Sequence, residues 1–195
     1  MLLCSLIKEG YDVQKLQSDI DNLIQIEFIK HFGAKDSWSG IPLRSYKGLT
    51  TFHGISLGYN FDRIDGKLKP AIDTIYMEKT PYIKQILDEI PAEIHLVRVL
   101  KIKAHGLLPK HIDGKYFNYK SGTTCRIHLP IYTNSDIKFS FDQNEYYLES
   151  GKLYYVDVSQ RHHVINNSDQ DRIHVVIDVS TTPELIKLIE DGQIN

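Results

Sequence analysis

The sequence predicts a mainly β domain, a sandwich or small barrel with helices buttressing one face. Short apolar runs of period two follow one another through the second half of the chain. Turn clusters such as Asp142-Gln143-Asn144 and Glu149-Ser150-Gly151 separate them. Helical periodicity is confined to three stretches, too few to alternate with the strands as in a parallel βαβ sheet.

The first helix is read from Val13, Leu16, Ile20, Leu23, Ile24 and Phe28, one apolar stripe with Asp12 placed to cap it, so a long amphipathic helix opens the chain. The second has Thr80 as cap, Pro81 at the first helical position, Ile83, Ile86, Leu87 and Ile90 on one face, and Pro91 as the stop. Between this helix and the last, the period changes to two. Val97 and Val99 oppose Arg98, Leu100 and Ile102; Ile127, Leu129 and Ile131 oppose Arg126, His128 and Pro130. Further strands are read at Ile137 to Phe141, Tyr146 to Leu148, Leu153 to Val156 and Ile173 to Ile177. Thr182, Pro183, Leu185, Leu188, Ile189 and Gly192 repeat the helix grammar at the end.

The 195 residues fit one domain: 1–35 as a helical extension packed on the barrel, 36–180 as the barrel region and 181–195 as a C-terminal helix. A formal charge of -2 supplies no positive field for a phosphate backbone or an anionic membrane, which excludes nucleic-acid binding by bulk electrostatics. With 42% hydrophobic and 25% charged residues, the chain has the composition of a globular domain able to bury roughly 70% of its surface. Cys4 and Cys125 are too few for a disulfide framework and suit a reducing compartment. Met1 to Ile7 is apolar but lacks a basic leader and a cleavage site, and Lys8 and Glu9 end it short of a membrane span. The expected location is therefore the cytoplasm, and the Asn166-Asn167-Ser168 sequon is read as a chance match.

Gly54-Ile55-Ser56-Leu57-Gly58 fits the G-x-S-x-G pattern of a nucleophile elbow, but its context does not. The elbow needs a helix directly after the serine, whereas Tyr59 to Lys69 carries Asn60, Asp62, Asp65 and Gly66 without helical periodicity.

The stronger constellation is built on histidine. In an extended segment, His111 and Asp113, two positions apart, fall on one face and can grip a single cation. His162-His163 follows some fifty residues later. Two imidazoles and one carboxylate form the facial set that holds non-haem Fe(II) with positions open for other ligands. Such a pattern also arises by accident in a chain with nine histidines.

A second feature adds weight: Arg126-Ile127-His128 and Arg172-Ile173-His174 place the same tripeptide on two strands. Period two turns both arginines to the face opposite the aliphatic residues, so two cations face inward. A buried arginine needs an anion. That anion is either a protein carboxylate, Asp157 or Asp178, or a dicarboxylate ligand.

Seven segments in order are Trp38 to Arg44 (WSGIPLR), Leu96 to Leu100 (LVRVL), His111-Ile112-Asp113, Arg126 to Asn134 (RIHLPIYTN), Tyr155-Val156-Asp157, His162 to Asn166 (H-x-V-x-N) and Arg172 to Asp178 (RIHVVID). On them, the stretch from about Trp38 to Ser180 resembles the aspartyl/asparaginyl β-hydroxylase-like family of Fe(II)- and 2-oxoglutarate-dependent dioxygenases, which includes bacterial proline hydroxylases. The resemblance implies a double-stranded β-helix, a jelly-roll or cupin-like barrel. It implies that His111, Asp113 and His162 bind Fe(II), that 2-oxoglutarate chelates the metal, and that Arg172, ten positions after His162, pairs with its distal carboxylate. By the same resemblance, Arg126 and His128 lie near the cosubstrate or the substrate carboxylate. Dioxygen is the co-reactant, and the reaction hydroxylates a C–H bond with release of succinate and CO2.

His162 rather than His163 matches the ligand position, since neighbours on a strand face opposite ways. Asp113 makes the chain look more like members acting on free amino acids than like the peptide-modifying members that lack the acidic ligand. The expected substrate is an amino acid or an amino-acid-derived metabolite, with a peptide residue next. Arg44, Trp38 and Asn134, with Tyr116 and Tyr119, fall in segments expected to ring the barrel mouth, where the aromatics are equally suited to ordinary packing. A cupin-like module that binds a metal or a small acid without turnover, and a metal-dependent enzyme that does not use 2-oxoglutarate, fit the same residues.

Overall fold

The computed structural model describes residues 2–30, 37–61, 68–120 and 122–192. In chain order the strands are β1 (Cys4–Lys8), β2 (Ile29–Lys30), β3 (Trp38–Tyr46), β4 (Ala71–Asp73), β5 (Ile94–Ile102), β6 (Leu107–His111), β7 (Thr124–Tyr132), β8 (Ile137–Phe141), β9 (Asn144–Tyr146), β10 (Leu153–Val156), β11 (His162–Asn166) and β12 (Arg172–Ser180). The helices are α1 (Val13–Asp21), α2 (Phe52–Ile55), α3 (Leu57–Asn60), α4 (Pro81–Asp88) and α5 (Pro183–Asp191).

Two antiparallel sheets carry the fold. The larger has eight strands in the order β1-β10-β7-β12-β5-β3-β2, with β4 paired on β3, and the smaller has four in the order β6-β11-β8-β9. Each central strand of the large sheet is buried on both sides, and alternation decides what each side meets. Val97, Val99, Ile127, Leu129, Val175 and Ile177 face outward onto Leu16, Ile83, Ile86, Leu185 and Ile189 of the helices. Leu100, Ile102, Tyr154, Val156 and Val176 face inward onto Phe139, Phe141 and Val164 of the small sheet. The even-numbered inward positions also include Arg98, Arg126, His128, Arg172, His174 and Asp178, all buried. The space between the sheets is thus lined by apolar and charged residues together.

The opening of the chain differs from the expected long helix. Cys4–Lys8 is an edge strand, its register running from Cys4 opposite Val156 to Lys8 opposite Leu153. The amphipathic helix behind it stops at Asp21, where three-residue bonds take over: Leu23 N–H to Ile20 O, Ile24 N–H to Asp21 O and Ile26 N–H to Leu23 O. β-Branched Ile24 and Ile26 favour this departure, because they lose side-chain freedom against a preceding helical turn. Leu23 stays buried while Ile24 swings out to 68% exposure. Residues 31–35 of the expected extension lie outside the described residues.

Capping also differs at α4. Thr80 occupies the cap position, but its hydroxyl donates to Met77 O. The Ile83 N–H is taken instead by buried Asp19, at 2.7 Å from Oδ2, so α1 supplies the cap of its neighbour. At α5 the expected cap stands, with Thr182 Oγ1 accepting from Leu185 N–H. The strand read at Tyr146 to Leu148 lies two residues earlier, as β9. The G-x-S-x-G segment spans two one-turn helices with Ser56 between them, and no strand leads into it. Asp62, Asp65 and Gly66 lie outside the described residues.

Asn166 of the sequon is buried, its amide donating to Lys103 O and Gln170 O and its oxygen accepting from Ser168. It ties the end of β11 to the loops beside it and is closed to glycosylation in the folded chain. Cys4 and Cys125 are free and buried, and burial pushes both thiols up, Cys125 to about 11. Among the described residues, no helix is long and apolar enough to cross a membrane.

The placement of α1 is testable by equilibrium denaturation. Leu16→Ala, at a fully buried position, is expected to cost about 2–5 kcal/mol, whereas Ile24→Ala is expected to stay within about 0.5 kcal/mol of the parent. Equal losses at both positions would mean that the helix continues past Asp21.

Candidate active site

A cavity of about 290 Å³ lies between the sheets, with His111, Asp113, His162, Arg98, Arg126, His128 and Arg172 in its lining. Its apolar wall includes Trp38, Ile55, Leu57, Leu100, Leu108 and Phe139.

Strand register brings the first three residues together. His162 on β11 sits directly opposite His111 on β6, which places the ring centroids 4.3 Å apart. Asp113 follows β6 by two residues, where its backbone N–H is held by Val158 O at 3.1 Å. The candidate ligand atoms of His111, Asp113 and His162 all lie within 4.8 Å of one another. Each imidazole is oriented by a backbone carbonyl: His111 Nδ1 lies 2.7 Å from Pro109 O and His162 Nδ1 lies 2.9 Å from Gln160 O. A carbonyl only accepts, so both Nδ1 atoms carry the proton and both Nε2 atoms present lone pairs. Those lone pairs face Asp113, at 3.5 Å from His111 Nε2 to Oδ1 and 4.0 Å from His162 Nε2 to Oδ2. Phe139 stacks on His162 with centroids 5.3 Å apart.

The local electrostatics match ligand duty. Burial disfavours the Asp113 anion, but the Arg126 guanidinium and the neighbouring imidazoles hold its carboxyl well below the usual carboxylate range. Burial pulls His162 down to about 4 against the pull of Asp113, so it is neutral at pH 7. Burial also acts against charged His111, yet a second proton, on Nε2, would be hydrogen-bonded and attracted by Asp113, which outweighs burial and leaves this imidazole above its ordinary value; a cation at Nε2 takes the place of that proton. An anionic oxygen and two nitrogen donors thus converge in a partly enclosed site, a set suited to a borderline divalent cation with open positions. His163, the other member of the pair, lies outside this cluster.

The two inward arginines have different partners. Arg126 meets Asp178 through Nε at 2.6 Å and Nη2 at 3.0 Å, and meets Asp113 through Nη1. Expected near the cosubstrate or the substrate carboxylate, it lines the cavity and also bridges two carboxylates of the protein. Asp157, the other partner considered, bonds Ser159. Arg172 has neither acid. It is 3% exposed, its Nη2 lies 2.8 Å from His174 Nδ1, and its Nε has no partner among the described residues. Burial pushes its guanidinium down to about 9, the mark of an enclosed cation with no anion beside it. His128 and His174 are held well below their ordinary value, by burial first and then by Arg172, and each keeps a buried Nε2 without a partner among the described residues. Unpartnered buried groups are uncommon in folded proteins. Here Arg98, His128 and Arg172 each bring one to the cavity lining.

Of the residues expected at the mouth, only Trp38 lines the cavity. Arg44 is a correction: its Nε pairs with Asp73 Oδ1 at 2.6 Å and its Nη1 donates to Ile94 O, because the bulge between Pro42 and Arg44 shifts its register. Asn134 is another, its Oδ1 accepting from Asp136 N–H in the turn that leads to β8. Tyr119 is buried against Tyr155, and Tyr116 packs against Phe61. Arg98 went unassigned in the sequence, although its inward parity on β5 was the available signal.

The sequence matches the aspartyl/asparaginyl beta-hydroxylase family over residues 10–182. It is 22% identical over 179 residues to L-proline cis-4-hydroxylase of Rhizobium meliloti (strain 1021), covering 90% of this chain and 60% of that protein. The chain therefore spans less than two thirds of the curated relative's length. HygX from Streptomyces hygroscopicus, solved with nickel, 2-oxoglutarate and hygromycin B, is similar in fold with a TM-score of 0.55 at 8% identity, covering 92% of this chain and 83% of that one. A 2OG-Fe(II) oxygenase family oxidoreductase from Burkholderia pseudomallei gives a TM-score of 0.52 at 9% identity, over 89% and 82% of the two chains. At such identities the likeness shows the fold, the double-stranded β-helix expected from sequence. With the family match extending over most of its length, the chain belongs to the aspartyl/asparaginyl β-hydroxylase family.

Proposed function

We propose that the protein is an Fe(II)- and 2-oxoglutarate-dependent hydroxylase acting on an amino acid, an amino-acid-derived metabolite or a peptide residue. The observation that carries this reading is one cavity holding both a His/Asp/His donor set and a buried arginine with no acidic partner among the described residues. Either feature alone has other uses. Together they match the two ends of a keto diacid, one at a metal and one at a guanidinium.

His111 Nε2, His162 Nε2 and one oxygen of Asp113 would hold the iron. When bound with 2-oxoglutarate and dioxygen, it supplies the oxidising power that puts one oxygen atom into a substrate C–H bond and the other into succinate, with loss of CO2. Arg172 receives the distal carboxylate, and the neutral imidazoles of His128 and His174 leave its positive charge uncancelled. Charge balance supports the pairing. A divalent cation and a doubly charged diacid enter together without changing the net charge of the interior. Trp38, Ile55, Leu57 and Leu100 exclude water from the remaining wall, where the substrate carbon would lie. The named relative acts on proline, which favours a small amino-acid substrate over a folded protein.

Under anaerobic conditions, Fe(II) and 2-oxoglutarate added to the protein are expected to give the weak visible charge-transfer band of a chelated keto acid; admitting oxygen with a panel of amino acids should then yield succinate. Metal uptake with no band would sink the 2-oxoglutarate reading. His162→Ala and Asp113→Ala are expected to abolish Fe(II) binding, measured by equilibrium dialysis, whereas His163→Ala should leave it within about threefold. The reverse pattern for the two histidines would shift the ligand register by one residue. Arg172→Met should weaken 2-oxoglutarate by about 2 kcal/mol or more, with Fe(II) affinity retained. Unchanged 2-oxoglutarate affinity in this variant would remove Arg172 from the site.

A further inference from the structure

Asp178 is fully enclosed, and neither the metal nor the cosubstrate reading uses it. It lies on the inward face of β12, in register with Arg126 of β7 and Leu96 of β5. Its oxygens take three donors: Arg126 Nε on Oδ1 at 2.6 Å, Arg126 Nη2 on Oδ2 at 3.0 Å and Arg98 Nη2 on Oδ2 at 2.7 Å. Two parallel bonds to one carboxylate fix the plane of the Arg126 guanidinium. The Phe117 ring, buried 5.2 Å from its central carbon, braces it further. The remaining nitrogen, Nη1, meets Asp113 Oδ2. That contact leaves Oδ1, 3.5 Å from His111 Nε2, as the oxygen free to face a cation.

We propose that Asp178 is a positioning residue for the metal site: acting through Arg126, it decides which oxygen of Asp113 the guanidinium occupies and which is left for a cation, and it offsets the two guanidinia that would otherwise repel an incoming cation. This inference rests on the metal reading of His111, Asp113 and His162. Without Asp178, Arg98 and Arg126 face the cavity with their charge unbalanced, and Arg126 becomes a free rival for both oxygens of Asp113. Each change weakens a divalent cation. The competing role is a plain strut, in which the ion pair holds β5, β7 and β12 together and the metal site is indifferent to it.

The test uses Co(II) alone, titrated into the whole chain without 2-oxoglutarate. The visible d–d spectrum is read at saturation and the melting temperature is measured without metal. Asp178→Asn removes the charge and keeps the size; Arg126→Lys keeps the charge and removes the fork. Each is expected to weaken Co(II) about 10- to 100-fold and to alter the saturated spectrum. In the double variant, the lysine should cost less than about twofold beyond Asp178→Asn, because residues acting through one another are not additive. Folded variants with parental affinity and spectrum and only a lowered melting temperature overturn the proposal, as does full additivity in the double variant. If Asp178→Asn does not fold, Arg126→Lys, which retains both carboxylates and the net charge, carries the test alone. A parent protein that fails to bind Co(II), or that binds it equally after His111→Ala, overturns the metal reading itself.

Discussion

Burying charge in a low-dielectric interior is costly unless an opposite charge meets it, and the space between the two sheets is organised around that constraint. Arg98, Arg126 and Arg172 face the same interior as Asp113 and Asp178. Asp178 joins Arg98 to Arg126, and Arg126 in turn reaches Asp113, so two cations and two anions form one connected chain. Arg172 stands outside that chain, and among the described residues its polar partner is a neutral imidazole. A charge held this way is expensive to keep, which is why its placement speaks for a ligand rather than for stability.

The fold supplies the constraint through alternation. The central strands of the large sheet are covered on both sides, so each consigns its odd-numbered aliphatic residues to the helices and its even-numbered residues to the interior. The same hydrophobic pattern that docks α1, α4 and α5 therefore aims the arginines and histidines inward. The small sheet contributes the opposite wall. Its β6 and β11 pair so that His111 and His162 become cross-strand neighbours, and carbonyls of the two segments set the tautomer of each ring. Folding thus fixes the orientation of both imidazoles.

Much of this was legible in the sequence wherever a single strand carried its own signal. Arg98 against Val97 and Val99, Arg126 against Ile127, and Arg172 against Ile173 each declared a face, and all face as their parity requires. The family resemblance selected His162 over His163, and the structure brings His162 to His111 and Asp113. What sequence did not reveal depends on contacts between distant segments. Asp19 caps a helix from another element, a bulge moves Arg44 onto Asp73, and the apolar start of the chain finds a strand edge at β10. Nor does periodicity say which of two inward arginines will meet Asp178; only cross-strand register does, placing Arg126 beside Asp178 and Arg172 six residues away along β12.

The His/Asp/His group and Arg172 are proposed to serve the two ends of one keto diacid. The most direct measurement is a crystal structure grown anaerobically with Mn(II) and 2-oxoglutarate. The expected density is a cation bonded to His111 Nε2, His162 Nε2 and one Asp113 oxygen, chelated by the keto acid end, with the far carboxylate in a two-point pair with Arg172. A cation bound elsewhere, or a diacid whose far carboxylate leaves Arg172 unpaired, would contradict it.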